Sequence, residues 1–148
     1  MSNNKQNLLS LYVHWPYCES KCPYCDFNSH VIETINVNDW IKSYKNQLLA
    51  MKEELIEKDI NFKNLNTLFF GGGTPSLMPL KIVESIIDIS KKIFGFKKDI
   101  EITLEANPSS YESKKFIKFK QIGINRISIG AQSLNDKYLQ FLGRLHNI

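Results

Sequence analysis

Apolar residues fall along this chain in two alternating rhythms, short dense runs and longer stretches at helical spacing. Leu8 to His14 is a short run with β-favouring Tyr12 and Val13, closed by Pro16, and predicts a strand. Asn38 is placed to cap a helix beginning at Asp39, with Trp40, Tyr44, Leu48, Met51 and Leu55 at helical spacing. Leu65 to Phe70 is apolar throughout after Thr67 and predicts a second strand, buried on both faces. Gly71-Gly72-Gly73-Thr74-Pro75 breaks that strand sharply. Pro79 suits a helix start, and Ile82, Ile86, Ile89 and Ile93 form one apolar stripe before Gly95 ends it. Ile100 to Glu105 predicts a third strand, closed by Pro108. Ser109 with Glu112 has the capping-box spacing for a helix reaching Gln121, and Gly123 stands where a C-cap glycine belongs. Arg126 to Ile129 predicts a fourth strand, and Ser133 a cap for a short last helix holding Tyr138 and Leu142. The polar lead from Met1 to Asn7 is expected to fray.

Four strand–helix units in series, with no linker and no low-complexity segment, predict an α/β fold with parallel strands and right-handed crossovers in one domain, residues 1–148. In such folds ligands bind beyond the carboxyl ends of the strands. The unusual residues of this chain fall there. A cysteine cluster follows the first strand and the glycines follow the second. Glu105 ends the third and Gln132 lies just past the fourth. Four strand ends therefore point to a single site.

Composition narrows the classes. The chain has 148 residues, 43% hydrophobic and 23% charged, as expected of a soluble globular domain. Its net charge of +4 comes mainly from scattered lysines, including the pairs Lys91-Lys92, Lys97-Lys98 and Lys114-Lys115. These read as solvated faces, and no nucleic-acid partner is expected. The beginning of the chain has no charged-then-apolar leader, and no apolar run has the length of a membrane span. Clustered cysteines without such a leader predict a cytoplasmic protein.

The chemistry is concentrated in Cys18-Glu19-Ser20-Lys21-Cys22-Pro23-Tyr24-Cys25, which holds every cysteine of the chain. Three thiolates on one short loop can converge on one centre. A structural zinc site takes four ligands, and His14 or His30 could complete a Cys3His set. A redox-sensing thiol set is another reading. A four-iron cluster normally takes four thiolates, so three would leave one iron open to a substrate or cofactor. After a buried strand, Gly71 to Gly73 lets a backbone approach a ligand without a Cβ in the way.

The CxxxCxxC spacing resembles the signature of the radical S-adenosylmethionine (SAM) enzymes. That resemblance implies a [4Fe–4S] cluster on Cys18, Cys22 and Cys25, with the amino and carboxylate groups of SAM on the open iron. An electron from the reduced cluster then cleaves the sulfonium to give a 5′-deoxyadenosyl radical, and an electron donor is implied with it. Gly72, Gly73 and Thr74 match the family loop that contacts the methionine part of SAM. Tyr12, Tyr24, Glu105, Gln132 and Arg144 match further SAM-contacting positions, while Arg126 has no such match and is read as structural. A valine at Gly73 is then expected to block SAM and leave the cluster intact.

Further motifs narrow the resemblance. Leu11 to Pro16, Cys22 to His30, Gly71 to Leu77, Glu105-Ala106-Asn107-Pro108 and Gly123 to Ser133 occur in one order. Together they resemble the oxygen-independent coproporphyrinogen III oxidase-like subgroup, of the HemW heme-chaperone type. This implies part of a TIM-like barrel and a partnership with heme and a heme-accepting protein, heme being bound by the full-length family. The oxidases carry another cysteine two residues after the third, where this chain has Phe27. The resemblance therefore favours the chaperone over the decarboxylation of coproporphyrinogen III. No residue is assigned a catalytic role. Against the family the chain is expected to be an amino-terminal fragment, without the later barrel strands and the carboxy-terminal domain. A non-catalytic zinc or iron–sulfur binding module stays open beside these readings.

Overall fold

The structure is a computed structural model, and it describes residues 7–31, 34–108 and 110–148. Strand β1 (Asn7–Trp15) leads into a short ladder of β2 (Tyr17–Cys18) with β3 (His30–Val31). Helix α1 (Val37–Glu57) follows, then β4 (Phe62–Gly72), a 3-10 turn (Pro75–Leu77) and α2 (Leu80–Phe94). Strand β5 (Phe96–Ala106), α3 (Ser110–Gln121), β6 (Arg126–Ile129) and α4 (Asp136–Phe141) complete the described elements. The main sheet has the order β1-β4-β5-β6, with every neighbouring pair parallel. The predicted α/β architecture is thus present, and the strand order follows the chain order of the strand–helix units.

Strand register explains why the apolar pattern works. Val13, Phe70, Leu104 and Ile127 stand opposite one another across the sheet, as do Leu11, Leu68 and Ile102. These rows face α1 and α2. Tyr44 and Leu48 of α1 and Ile82, Val83, Ile86, Ile87 and Phe94 of α2 are buried in one cluster with them. Ile89 and Ile93 pack at its margin. Trp15, Tyr17, Trp40 and Tyr44 extend the cluster as an aromatic chain with ring centroids 5.1–5.6 Å apart.

The opposite face of the sheet differs from expectation. Tyr12, Phe69, Thr103 and Arg126 form the row between the buried ones, and Phe69 is only partly buried. The expected burial of the second strand on both faces holds on one face only, because the described helices cover one side. Tyr12 stacks on Phe69 at 6.0 Å. Arg126 donates to Glu101 at 3.3 Å and to Thr103 at 3.4 Å.

Two caps also differ. The Asn36 side chain, not that of Asn38, accepts from the amides of Asn38 and Asp39, so α1 starts two residues before the expected point. Asn135, not Ser133, caps α4 by accepting from the amide of Lys137 at 3.0 Å. Ser133 instead accepts from the amide of Asn135, one step before the cap. The expected cap at Ser109 and all of the polar lead except Asn7 lie outside the described residues. Among the described residues, no helix is long and apolar enough to cross a membrane.

Candidate functional site

The cysteine loop is pinned at both ends. Tyr17 and Cys18 pair with His30 and Val31, and the His30 amide donates to the Pro16 carbonyl at 2.7 Å. A tight turn inside it donates the Cys25 amide to the Cys22 carbonyl at 3.0 Å. All three cysteines are unpaired and partly exposed.

The end of β4 lies directly against this loop. The Gly73 amide donates to the Trp15 carbonyl at 2.7 Å, and the Thr74 amide to the Tyr17 carbonyl at 2.9 Å. A Cβ at position 73 would stand 2.7 Å from the Tyr17 carbonyl oxygen and 3.0 Å from Cys18 Sγ. Glycine here admits the neighbouring chain as well as facing the cavity. The expectation that a valine at Gly73 spares the cluster is therefore corrected: the added side chain would displace Cys18 itself. Glu105, at the end of β5, accepts the Gly72 amide on Oε2 at 3.2 Å and so ties the glycine loop to the third strand.

Arg144 arrives from the far end of the chain. Gly143 has φ +67°, and a Cβ there would stand 3.0 Å from Pro23 Cδ, so glycine lets the turn after α4 close on the cysteine loop. The guanidinium then donates through Nη1 to Cys22 Sγ at 3.5 Å and to the Tyr24 hydroxyl at 3.4 Å. Through Nη2 it donates to Asn107 Oδ1 at 2.7 Å and to the Gly130 carbonyl at 3.0 Å. Its Nε is buried with no acceptor among the described residues.

These pieces surround one cavity of about 260 Å³. Cys18, Cys22, Cys25, Tyr24, Gly72, Gly73, Thr74, Glu105, Gln132 and Arg144 all line it, and so does Phe27. Gln132 adopts φ +64°, a left-handed conformation uncommon for a residue with a side chain and a form of strain that gathers at functional sites. Tyr12 is the predicted residue that the cavity does not take in. It lies on the open sheet face, 55% exposed, with its hydroxyl 3.3 Å from His14 Nδ1. Burial, and secondarily the Glu105 carboxylate, push its phenol above the usual tyrosine range. Tyr24 is pushed up by burial as well, against the opposing charge of Arg144.

The surroundings of the cysteines bear on what their thiolates could hold. Among the described residues no three His, Cys, Asp or Glu side chains are gathered closely enough to hold one metal ion. Both ring nitrogens of His14 have partners at 3.3 Å, Tyr12 and the Asn28 carbonyl. His14 is thus engaged by these two groups. Thr74 and Arg144 each aim a donor at a cysteine sulfur, at 3.5 Å in both cases, which suits thiolate ligands of a metal or cluster. The orphaned Nε of Arg144 suits an anionic ligand group.

Asn107 belongs to the Glu105-Ala106-Asn107-Pro108 motif but carries no site role in the sequence reading, although it lines the cavity and bonds both Thr74 and Arg144. Its place between a strand-end carboxylate and Pro108 was the available signal, since the residue before proline is held extended.

Comparison with known proteins agrees with this geometry. The sequence pattern of the radical SAM superfamily matches residues 12–148. The heme chaperone HemW of Haemophilus influenzae is 45% identical over 140 residues, covering 94% of this chain and 36% of that protein. HemW of Escherichia coli is 39% identical over 142 residues, covering 93% and 35%. Radical S-adenosyl methionine domain-containing protein 1, mitochondrial, of Bos taurus is 37% identical over 138 residues, covering 93% and 30%. The chain thus spans about a third of the length of these curated relatives. In fold it is similar to coproporphyrinogen III oxidase (HemN) from Escherichia coli, a radical SAM enzyme, with a TM-score of 0.81 at 24% identity. That likeness covers 96% of this chain and 32% of the oxidase.

Proposed function

The chain belongs to the radical SAM superfamily, and on that premise we propose that it binds a [4Fe–4S] cluster and SAM and acts as a heme chaperone. The observation that carries the reading is the single cavity at the carboxyl ends of the strands. It gathers three unpaired cysteines with Gly72, Gly73, Thr74, Glu105, Gln132 and Arg144. A cluster bound here would supply the electron for cleavage of SAM. Cys18, Cys22 and Cys25 hold the cluster. Thr74 and Arg144 orient two of the sulfurs by donating to them. Glu105 keeps the glycine loop against the site through the Gly72 amide. Tyr24, Gln132 and Arg144 wall the SAM side. Tyr12 borders the site from the sheet face, close enough to feel the Glu105 carboxylate.

The chaperone reading has two supports. The curated relatives at 39% and 45% identity are named heme chaperones, and Phe27 lines the cavity where the oxidase subgroup carries a further cysteine. A phenyl ring does no thiol chemistry. An electron donor, heme and a heme-accepting protein belong to the proposal. So does a cytoplasmic setting, since unpaired thiolate ligands need a reducing compartment.

The test is anaerobic reconstitution with iron and sulfide, followed by metal analysis and absorption spectroscopy. The wild-type chain is expected to take up about four irons with a sulfide-to-iron chromophore, and Cys25→Ala to lose both. Zinc in place of iron, or full iron and sulfide in the Cys25→Ala protein, overturns the cluster. Heme titration of the same protein joined to the remaining length of a curated relative tests the rest. Heme binding without conversion of coproporphyrinogen III is expected, and robust decarboxylated product would return the oxidase to first place.

A further inference from the structure

The two sulfur-directed donors of the cavity share one anchor. Asn107 Nδ2 donates to Thr74 Oγ1 at 3.4 Å, and the Thr74 hydroxyl donates on to Cys18 Sγ at 3.5 Å. On its other side, Asn107 Oδ1 accepts from Arg144 Nη2 at 2.7 Å, and Nη1 of the same guanidinium donates to Cys22 Sγ at 3.5 Å. A single carboxamide therefore closes a path from one cysteine to another across three strand ends. Only a side chain with a donor and an acceptor in one fixed plane can do this from that position. The residue before proline has a restricted backbone, and the bonds to Thr74 and Arg144 orient the amide from it. Cys25 lies outside the path.

Resting on the cluster assignment above, we infer that Asn107 is a positioning residue that aims the Thr74 hydroxyl and the Arg144 guanidinium at the sulfurs of Cys18 and Cys22. Its contribution comes through its two partners. The links to sulfur are individually weak, because sulfur is a weak acceptor, so their direction depends on the anchor. The Arg144 link is short and charge-assisted, which makes it the firmer half. Hydrogen bonds to ligand sulfurs are among the levers that set a cluster's reduction potential, because they stabilise the more negative, reduced form. The potential of a cluster in this cavity then depends on an amide that acts through Thr74 and Arg144. The path also makes the three thiolates unequal, two receiving a donor through Asn107 and the third none.

Two variants separate the halves of the path. Asn107→Ala removes both links. Asn107→Asp keeps an acceptor for Arg144 and loses the amide donor to Thr74, whose hydroxyl would then turn to the carboxylate and leave Cys18. The reconstituted chain is titrated potentiometrically under argon, and the apo chain is followed by hydrogen–deuterium exchange. Asn107→Ala is expected to retain iron and shift the midpoint potential to a more negative value. In the apo chain it should speed exchange at residues 18–25 and 143–145. Asn107→Asp is expected to lower the potential as well, and to speed exchange around Cys18 while leaving 143–145 near the wild-type rate. A potential unchanged in both variants, with exchange unchanged in the cysteine loop, overturns the inference. If Asn107→Ala fails to fold by circular dichroism, the exchange pattern of the Asp variant decides, since its added charge lowers the potential by itself. If the wild-type chain takes up no cluster, the functional reading fails, while the two exchange patterns still decide whether Asn107 anchors both sides of the loop.

Discussion

On the helix side of the sheet, Leu65, Leu68, Phe70, Ile82, Ile86 and Leu104 are wholly excluded from water. At the rim above them, Cys18, Cys22 and Cys25 remain partly exposed, and the bonds that reach their sulfurs are 3.5 Å long. The first region is held by many interchangeable contacts, each large buried side chain contributing about 1.5–3 kcal/mol. The second is held by a few directional links, from the 2.7 Å bond of Arg144 to Asn107 to the 3.5 Å bonds at sulfur. A core of the first kind tolerates rearrangement as long as volume is kept. A rim of the second kind depends on particular atoms, and a bound group would give those atoms a common target. The difference separates what makes this chain fold from what makes it bind.

Three substitutions test that separation, beginning with the most severe. Gly73→Val is expected to abolish cluster assembly and SAM binding together, since its Cβ would press on the Tyr17 carbonyl and on Cys18 Sγ. Iron content and SAM titration check this, while the far-ultraviolet dichroism should stay near wild type. A variant that keeps its iron and loses only SAM would show that the loop can yield around Cys18. Leu68→Ala strikes the core in the row shared with Leu11 and Ile102. It should cost about 2–5 kcal/mol in denaturant unfolding, with iron uptake per folded chain unchanged. Iron loss in proportion to lost stability would mean that core and rim are not separate.

The third lies on the border. Tyr44 of α1 donates its hydroxyl to the His14 carbonyl at 2.7 Å, joining the helix layer to the end of β1. Burial, and secondarily Tyr17, push its phenol well above the usual value of 10. Below pH 10 the phenol is protonated in both folded and unfolded chains, so its contribution to stability is fully present. Above pH 10 the unfolded chain releases the proton first, and stability is lost as pH rises. Tyr12 and Tyr24 shift in the same direction, but both are largely exposed. Tyr44→Phe should cost about 1 kcal/mol at neutral pH and flatten the alkaline decline, as read from unfolding midpoints at pH 8 to 11. An unchanged alkaline slope would assign the decline to other groups.

Much of the architecture was legible because it rests on sums over many residues. The period of Ile82 and Ile86, the density of Leu65 to Phe70 and the glycines at 95 and 123 each repeat or punctuate a local pattern. The strands and helices they imply are present within a few residues of the expected bounds. The cysteine spacing was equally local. Where a single side chain decides, the pattern was silent. Asn36 and Asn38 are equally plausible caps by composition, and only the turn of the chain into α1 put the side chain of Asn36 on two amides. Phe69 looked like core because its neighbours are, but no described helix lies over its face.

The sequence by itself determined the order of strands and helices, the burial stripes and the loop that carries the thiols, because hydrophobic burial and turn chemistry act over short stretches of chain. Tertiary structure alone decided which atoms meet in the cavity. Arg144 reaches Cys22 across 122 positions and Asn107 reaches Thr74 across 33, and neither contact has a periodic trace. It also decided that Tyr12 stays on the sheet face while Tyr24 enters the cavity, and that Gly73 is small because Tyr17 and Cys18 pass beside it. Directional bonds between distant residues depend on where whole strands come to rest, and parallel packing against α1 and α2 sets that position before any polar group can choose its partner.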